Sequence, residues 1–217
     1  MNFTEVHLSE MQSRRYATKT FDRNRSISAA AWQTLEESLR LSASSYNMQP
    51  WKFIVVTDDD VKIKLRDAAF NQSQVEDCSH YVIICARRTI DSSWIQRLID
   101  RVHEVRGISQ EALIGYSKTM NEDVLGRRKH KITEIISNQC YLALGTLLTS
   151  AAVLGIDSCA IEGFIPEKFD EILGLHGTDW TSCVSAAMGY RNPADKYATL
   201  PKVRFPKEEV FEYRGEI

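Results

Sequence analysis

The segment SASSYNMQPWKFIVVT, residues 42–57, joins a polar loop directly to a hydrophobic run. Its second half, WKFIVVT (51–57), is short, apolar and rich in β-branched residues, which predicts a buried strand. Its first half carries serine, asparagine and glutamine side chains, which donate and accept hydrogen bonds within a short reach. Such a loop is either a binding element or a polar turn in which Pro50 directly precedes the strand.

Hydrophobic segments of strand length recur at HYVIICA (80–86), DSCAIEGF (157–164) and TSCVSAAMGY (181–190). Because strands alternate with segments of helical spacing, and no repeat or linker interrupts them, we expect one domain, residues 1–217, of the α/β or α+β class. The predicted helices cover residues 3–15, the stretch after the N-cap Ser28, the stretch after Asp58–Asp60, Trp94–Val105 and Lys129–Leu154, while 107–127 is expected to form short helical pieces at best.

The helix predicted over Lys129–Leu154 is apolar on most sides from Cys140 onward. A helix of that kind needs burial all round, which one domain of 217 residues does not easily provide. We therefore expect this helix to lie at a homodimer interface. The charged tail, residues 207–217, contains large apolar residues and is expected to be disordered or to dock elsewhere.

The overall composition argues against several functional classes. Because 27 Lys and Arg nearly balance 29 Asp and Glu, the charge gives no reason to expect nucleic acid or an anionic membrane as a partner. The five cysteines form no CxxC pair, and no HExxH, GxGxxG or P-loop motif is present. We expect free thiols, no metal site and a cytoplasmic location, since the N-terminus lacks the apolar core of a signal peptide.

Two basic segments could bind an anion. RRYATKTFD (14–22) brings three cations near the end of a helix, and LPKVRFP (200–206) places Lys202 and Arg204 on one side of an extended chain. Two cations on one face suit a phosphate. Residue type alone favours an interpretation of both segments without a ligand. Cations stabilise a helix C-terminus, and lysine often covers an exposed strand edge.

Residues 160–163, Ala-Ile-Glu-Gly, end the third predicted strand. The carboxyl end of a strand is a common ligand position in open α/β sheets, although the same residues would also make an ordinary turn. The aromatic residues Phe70, Trp94 and Tyr116 could stack on a ring, but core packing is the more common use of such side chains.

In order and spacing, five segments together resemble one family. RRYATKTFD (14–22) is similar to its Arg-x-x-x-Lys-x-Phe segment, and SSYNMQPWKFIVV (44–56) to its Ser-Ser-x-Asn-x-Gln-Pro-Trp-x-Phe signature. FNQSQVEDCSHYVIICA (70–86), AAVLGIDSCAIEGF (151–164) and ATLPKVR (198–204) resemble three further segments. The family is that of the bacterial oxygen-insensitive NAD(P)H nitroreductases, and the resemblance covers nearly the whole chain.

The resemblance implies an α+β fold, in which helices flank a mixed β-sheet and the C-terminal tail crosses onto the partner of a homodimer. It implies FMN at the subunit interface, NADH or NADPH as reductant, and a nitroaromatic, quinone or similar acceptor reduced by a ping-pong mechanism. A different natural acceptor, such as free flavin, an enone or a halogenated ring, would fit the same family. A flavin-binding module without turnover is the alternative outside catalysis.

The resemblance also implies the site residues, none of which is expected to act as a catalytic acid or base because the flavin carries the hydride. They are Arg15, Tyr16, Ala17, Lys202 and Arg204 at the phosphate; Lys19, Asn71 and Gln74 at the pyrimidine end of the ring; Ile161, Glu162 and Gly163 against its face; Ser44, Ser45, Asn47 and Gln49 from the other subunit; and Phe70 and Tyr116 at the substrate.

Two positions depart from the family pattern. Ala17 stands where serine is common, which removes a hydroxyl from the phosphate site. Gln74 stands where lysine is common, which removes a positive charge near the ring. The second departure bears on the reduction potential of the flavin, and so on the acceptors that it can reduce.

Overall fold

In a computed structural model, which describes residues 5–215, four strands form one sheet in the order β1-β2-β4-β3. All three pairings between these strands are antiparallel, and the parallel contact is an isolated bridge between Ala17 and Ser158. The α+β class is confirmed, but the predicted mixed sheet is wrong for these strands. The mixed sheet was implied by the family resemblance, since a hydrophobic pattern marks the buried faces of a strand and not the direction in which strands pair. The strands are β1 (Trp51–Val56), β2 (His80–Arg87), β3 (Asp157–Ile161) and β4 (Trp180–Gly189), which confirms each predicted strand.

Nine α-helices lie in the described part of the chain, and capping residues begin several of them. The Ser28 hydroxyl accepts from the Ala31 N–H at 3.3 Å, and the Asp58 carboxylate accepts from the Val61 N–H at 2.9 Å, so both predicted N-caps are confirmed. The helices are α1 (Glu5–Arg14), α2 (Ala29–Arg40), α3 (Asp59–Ala68), α4 (Ser73–Asp77), α5 (Ser92–Arg106), α6 (Gln110–Met120), α7 (Ile132–Val153), α8 (Pro166–Ile172) and α9 (Lys207–Val210).

The prediction for residues 107–127 is wrong. This stretch forms α6, which is capped by Ser109, and then a π-helical turn over Asn121–Arg127. The helix buries Leu113 and Met120 and leaves most of its other residues exposed. Two core contacts seven residues apart are a weak periodic signal, and this explains why the sequence pattern did not indicate a full helix.

The long helix α7 lies across one face of the sheet and contacts all four strands. Ile136, Cys140, Ala143 and Leu147 are buried on its inner side. Its outer side keeps Tyr141, Leu142 and Gly145 exposed. The chain therefore covers only one side of a helix that is apolar on most sides, as the sequence had suggested. The opposite face of the sheet is covered by α3 and α8.

The C-terminal tail is exposed along its described length, residues 201–215. Its apolar side chains include Val203, which is 86% exposed, and Phe205, which is 77% exposed. Only α9 interrupts this extended course. Over the described residues, none of the helices is both long and apolar enough to span a bilayer.

Candidate functional site

A cleft of about 580 Å³ separates residues 13–19 from residues 197–204, and we call it the cation cleft. It brings together the two basic segments that the sequence singled out. No residue among those lining it within the described chain is acidic. The predicted phosphate residues Arg15, Tyr16, Ala17, Lys202 and Arg204 line it together with Lys19.

The cations of this cleft repel one another. The Lys202 ammonium donates to the Gln12 carbonyl at 2.7 Å and to the Arg15 carbonyl. Burial, and then the charges of Arg15 and Arg204, lower the pKa of Lys202. A site where positive charges destabilise one another is one where an anion is bound favourably. The charge of the cation cleft therefore favours a phosphate site over the alternative interpretation of the basic segments, a solvated strand edge.

Asp195, which sequence reasoning missed, holds the walls of the cleft together. Its carboxylate accepts from the Tyr16 hydroxyl at 3.0 Å and from the N–H groups of Lys19 at 2.9 Å, Thr20 at 3.1 Å and Tyr197 at 3.0 Å. Although burial raises its pKa, these hydrogen bonds together hold the pKa of Asp195 below its usual range. The surrounding sequence, RNPADKY (191–197), predicts only a turn at Asn192–Pro193, so no sequence signal identified this role.

Next to the cleft, the loop 70–74 meets residues 161–163, and we call this pair of segments the ring-side cluster. The Gln72 amide donates to the Gly163 carbonyl at 2.8 Å, and Phe70 and Asn71 adopt positive φ angles of 54° and 58°. Non-glycine residues in this strained region often belong to functional sites. Phe70 is 64% exposed, and a Cβ built on Gly163 would contact its ring at 3.8 Å. The predicted substrate residue Phe70 therefore stands beside the predicted ring-facing Gly163.

Gln74 connects the ring-side cluster to the cation cleft. Gln74 is only 7% exposed, so its side chain does not point into solvent. Burial raises the pKa of the Cys159 thiol on β3, while the charge of Lys19 and a hydrogen bond with Gln74 partly oppose this effect. The Thr18 N–H also donates to the Ser158 carbonyl at 3.2 Å, and Ala17 forms a bridge with Ser158. The cleft residues 13–19 therefore lie against β3, the strand that ends at Ile161 of the ring-side cluster, and the two regions adjoin at this edge of the sheet.

Glu162 has a partner that the sequence did not indicate. The hydroxyl of Tyr141, on the outer side of α7, donates to the Glu162 carboxylate. Burial first, and this hydrogen bond next, raise the pKa of Tyr141. The neighbouring Ile161 is buried, so only its backbone can face a ligand, whereas Glu162 and Gly163 are exposed.

The polar loop, residues 44–49, lies apart from these residues. It leads into β1, which is at the opposite edge of the sheet from β3. The Ser45 N–H donates to the Gln139 side chain at 2.8 Å, and the Ser44 hydroxyl accepts from the Gln49 N–H at 3.0 Å. One chain therefore does not bring the two predicted halves of the site together. The predicted members of this half are Ser44, Ser45, Asn47 and Gln49.

The polar loop is strained and has its own aromatic neighbour. Tyr46, Asn47 and Gln49 have positive φ angles of 53°, 57° and 47°, which cost free energy at residues other than glycine. The Tyr116 hydroxyl donates to the Tyr46 carbonyl at 3.1 Å. The two predicted substrate residues, Tyr116 and Phe70, therefore belong to different halves of the site.

The described residues contain no group of three or more His, Cys, Asp or Glu side chains that could hold a metal ion. The ligand chemistry that the geometry offers is that of the cation cleft and the ring-side cluster. A phosphate with an attached planar ring would occupy both, with the cations at one end and the exposed aromatic and glycine at the other.

Comparison with known proteins gives a consistent result. The family model named Nitroreductase family matches residues 13–190. The oxygen-insensitive NAD(P)H nitroreductase of Salmonella typhimurium is 33% identical over 209 residues, covering 89% of this chain and 93% of that protein. The major NAD(P)H-flavin oxidoreductase of Aliivibrio fischeri is 33% identical over 205 residues, covering 90% and 93%. A nitroreductase-fold structure from Exiguobacterium sibiricum, solved with FMN, superposes with a TM-score of 0.80 at 22% identity and 99% coverage of both chains. The chain belongs to the nitroreductase family.

Proposed function

We propose that this protein oxidises NADH or NADPH and passes the electrons to a nitroaromatic, quinone or similar acceptor by a ping-pong mechanism. It is an NAD(P)H-dependent oxidoreductase with FMN as its cofactor, which supplies the hydride chemistry when bound. The observation that carries the proposal is the cation cleft, free of acidic lining residues, adjoining the ring-side cluster. Relatives with NAD(P)H nitroreductase and NAD(P)H-flavin oxidoreductase activity support the reductant.

Each part of the site has a distinct task in this proposal. Arg15, Lys202 and Arg204 would hold the phosphate, with the Ala17 backbone and Tyr16 bordering it. Lys19 would place a positive charge beside the bound flavin and would stabilise negative charge there, as oxyanion-stabilising groups do in other enzymes. Exposed Glu162 and Gly163 leave one ring face open, which NAD(P)H and the acceptor would occupy in turn.

A second copy of the chain completes the site. The outer face of α7 exposes Tyr141 and Leu142, and the otherwise charged tail 201–215 exposes large hydrophobic side chains that include Val203, Phe205 and Phe211. Exposed hydrophobic residues grouped in this way are typical of subunit interfaces. The polar loop is strained but lies far across the sheet from the cation cleft of its own chain. We propose that it contributes Ser44, Ser45, Asn47 and Gln49 to the partner's flavin site, and that the tail crosses onto the partner.

Steady-state kinetics test the reaction. NAD(P)H oxidation should accelerate when menadione or nitrofurazone is added, and double-reciprocal plots at several acceptor concentrations should be parallel. A flavin-loaded protein that NAD(P)H does not reduce would be a carrier and not a catalyst. Intersecting lines would contradict the ping-pong mechanism. Rapid turnover with free flavin or an enone, but with neither of the two test acceptors, would assign the alternative acceptor class.

A further inference from the structure

The π-helical turn between α6 and α7, residues Asn121–Arg127, contains a buried carboxylate. Asp123 is 8% exposed and accepts a hydrogen bond from the Tyr46 hydroxyl at 3.0 Å. The guanidinium of Arg128 also donates to Asp123, and that of Arg127 lies 3.2 Å from it. These cations offset the cost of burying the charge, so the carboxylate has a fixed position from which it can orient the tyrosine. Turns of the π-helical kind are frequent at functional sites.

Tyr46, in the strained polar loop, is held at both its side chain and its backbone by this part of the chain. Asp123 binds its hydroxyl, and the Tyr116 hydroxyl on α6 donates to its carbonyl at 3.1 Å. The Tyr46 ring packs against the hydrophobic core, and its centroid lies 6.4 Å from that of the Tyr116 ring. Because a φ angle of 53° is unfavourable for tyrosine, these contacts explain why the loop keeps this backbone conformation.

The conformation of Tyr46 decides where its neighbours in the polar loop point. Ser45 and Asn47 flank it, and Gln49 follows after one further residue. The Gln49 amide donates to the Asn47 side chain at 3.2 Å, so these two residues move together. Because the φ and ψ angles of one residue set the course of the chain that follows, relaxation of Tyr46 would displace Asn47 and Gln49.

We propose that Asp123 is a positioning residue of the flavin site. It holds Tyr46 so that the polar loop presents Ser45, Asn47 and Gln49 in one orientation to the flavin of the partner subunit. This role rests on the proposed function, which assigns the polar loop to that flavin. It goes further because the π-helical turn, which contains none of the residues predicted for the site, becomes part of what binds the cofactor.

The test measures FMN binding to the full chain, by quenching of FMN fluorescence, in Tyr46→Phe, Asp123→Ala and the double variant. Loss of one hydrogen bond corresponds to about a twofold to tenfold rise in Kd, and we expect such a rise in each single variant. The double variant should bind FMN no more weakly than Asp123→Ala, since both changes remove the same contact. Asp123→Asn keeps a side-chain oxygen for the Tyr46 hydroxyl and should bind FMN nearly as tightly as the wild type. Tyr46→Phe removes a single oxygen atom, so it keeps the test decisive if Asp123→Ala lowers the yield of folded protein.

Asp170→Ala is the matched control, because Asp170 is also a buried carboxylate that accepts from an arginine and a hydroxyl, those of Arg88 and Thr181, but joins α8 to β4. Its Kd for FMN should equal that of the wild type. The role of Asp123 would be overturned, with the proposed function intact, by wild-type Kd values in both single variants, by a double variant whose loss is the product of the two single losses, or by an equal loss in Asp170→Ala. A wild-type protein that binds no FMN would instead overturn the proposed function, and this role with it.

Discussion

Replacing Asp195 with alanine should loosen both walls of the cation cleft. The side chain is 4% exposed and accepts four hydrogen bonds of 2.9–3.1 Å, three from residues 16–20 and one from Tyr197. A hydrogen bond to a charged group contributes about 1.5–3 kcal/mol, and contributions that share one carboxylate are not additive. We therefore expect the free energy of unfolding to fall by about 2–4 kcal/mol.

The same change should weaken FMN binding, because the residues that Asp195 holds also position Lys19 and the phosphate cations. Loss of one charge-assisted contact to the phosphate corresponds to roughly a tenfold to hundredfold rise in Kd. Urea unfolding of flavin-free protein gives the stability, and quenching of FMN fluorescence gives the Kd. Asp195→Ala protein with wild-type FMN affinity would refute the positioning role.

Asp170 offers a matched control. It is also a buried carboxylate, accepting from Arg88 at 2.8 Å, from the Thr181 hydroxyl at 2.7 Å and from the Ser182 N–H at 2.7 Å, but it joins α8 to β4 and does not line the cation cleft. Asp170→Ala should lower the stability similarly and leave the FMN affinity of the folded protein unchanged. An equal loss of FMN affinity in both variants would mean that general destabilisation explains the effect.

The contribution of Asp195 to the free energy of unfolding should depend on pH in a defined direction. The folded-state pKa of this carboxyl is lowered, so its stabilisation is fully present above the unfolded pKa of about 3.9 and is lost as the pH falls through the folded pKa. The difference in unfolding free energy between wild type and Asp195→Ala should therefore be constant near neutral pH and shrink in acid.

Three further predictions concern the cofactor and the dimer. Arg204→Ala should raise the Kd for FMN roughly tenfold to hundredfold, and an unchanged Kd would assign Arg204 to a solvated edge. Gln74→Lys should raise the FMN midpoint potential in a spectroelectrochemical titration, because a nearby cation favours the negatively charged reduced ring; Gln74→Met is the neutral control, and an equal or lower potential in the lysine variant would mean that residue 74 is not beside the ring. Deleting residues 207–217 should weaken the dimer in sedimentation experiments and reduce FMN retention together, whereas a dimeric, fully flavinated product would rule out an exchanged tail that supports the site.

The strands and most helices follow from local pattern, and the remaining features depend on tertiary contacts. WKFIVVT indicated β1 because an apolar, β-branched run is characteristic of a buried strand. Nothing in such a run encodes the direction of pairing, and the mixed sheet that the family resemblance implied is not found among the four strands of one chain. Helix α6 was missed because only Leu113 and Met120 reach the core.

In the candidate site, too, some residues could be predicted from the sequence and others could not. The basic segments and the Ala-Ile-Glu-Gly turn were visible in the sequence because their residue types suit a phosphate and a ring. Asp195 and Tyr141 were not visible, since each acts through a partner more than 20 positions away and neither stands in a motif. That Gln74 is buried beside Cys159 also required the structure, because its sequence neighbours do not determine which way it points.

The identity of the flavin that the protein binds shows whether the cation cleft holds the phosphate of FMN. The purified protein, reconstituted if it is colourless, is denatured, and the released flavin is separated by chromatography and quantified against protein. The cation cleft is suited to one terminal phosphate, and the chain has no GxGxxG motif for a dinucleotide. We predict FMN at one molecule per chain. Release of FAD, or no flavin even after reconstitution, would contradict the account.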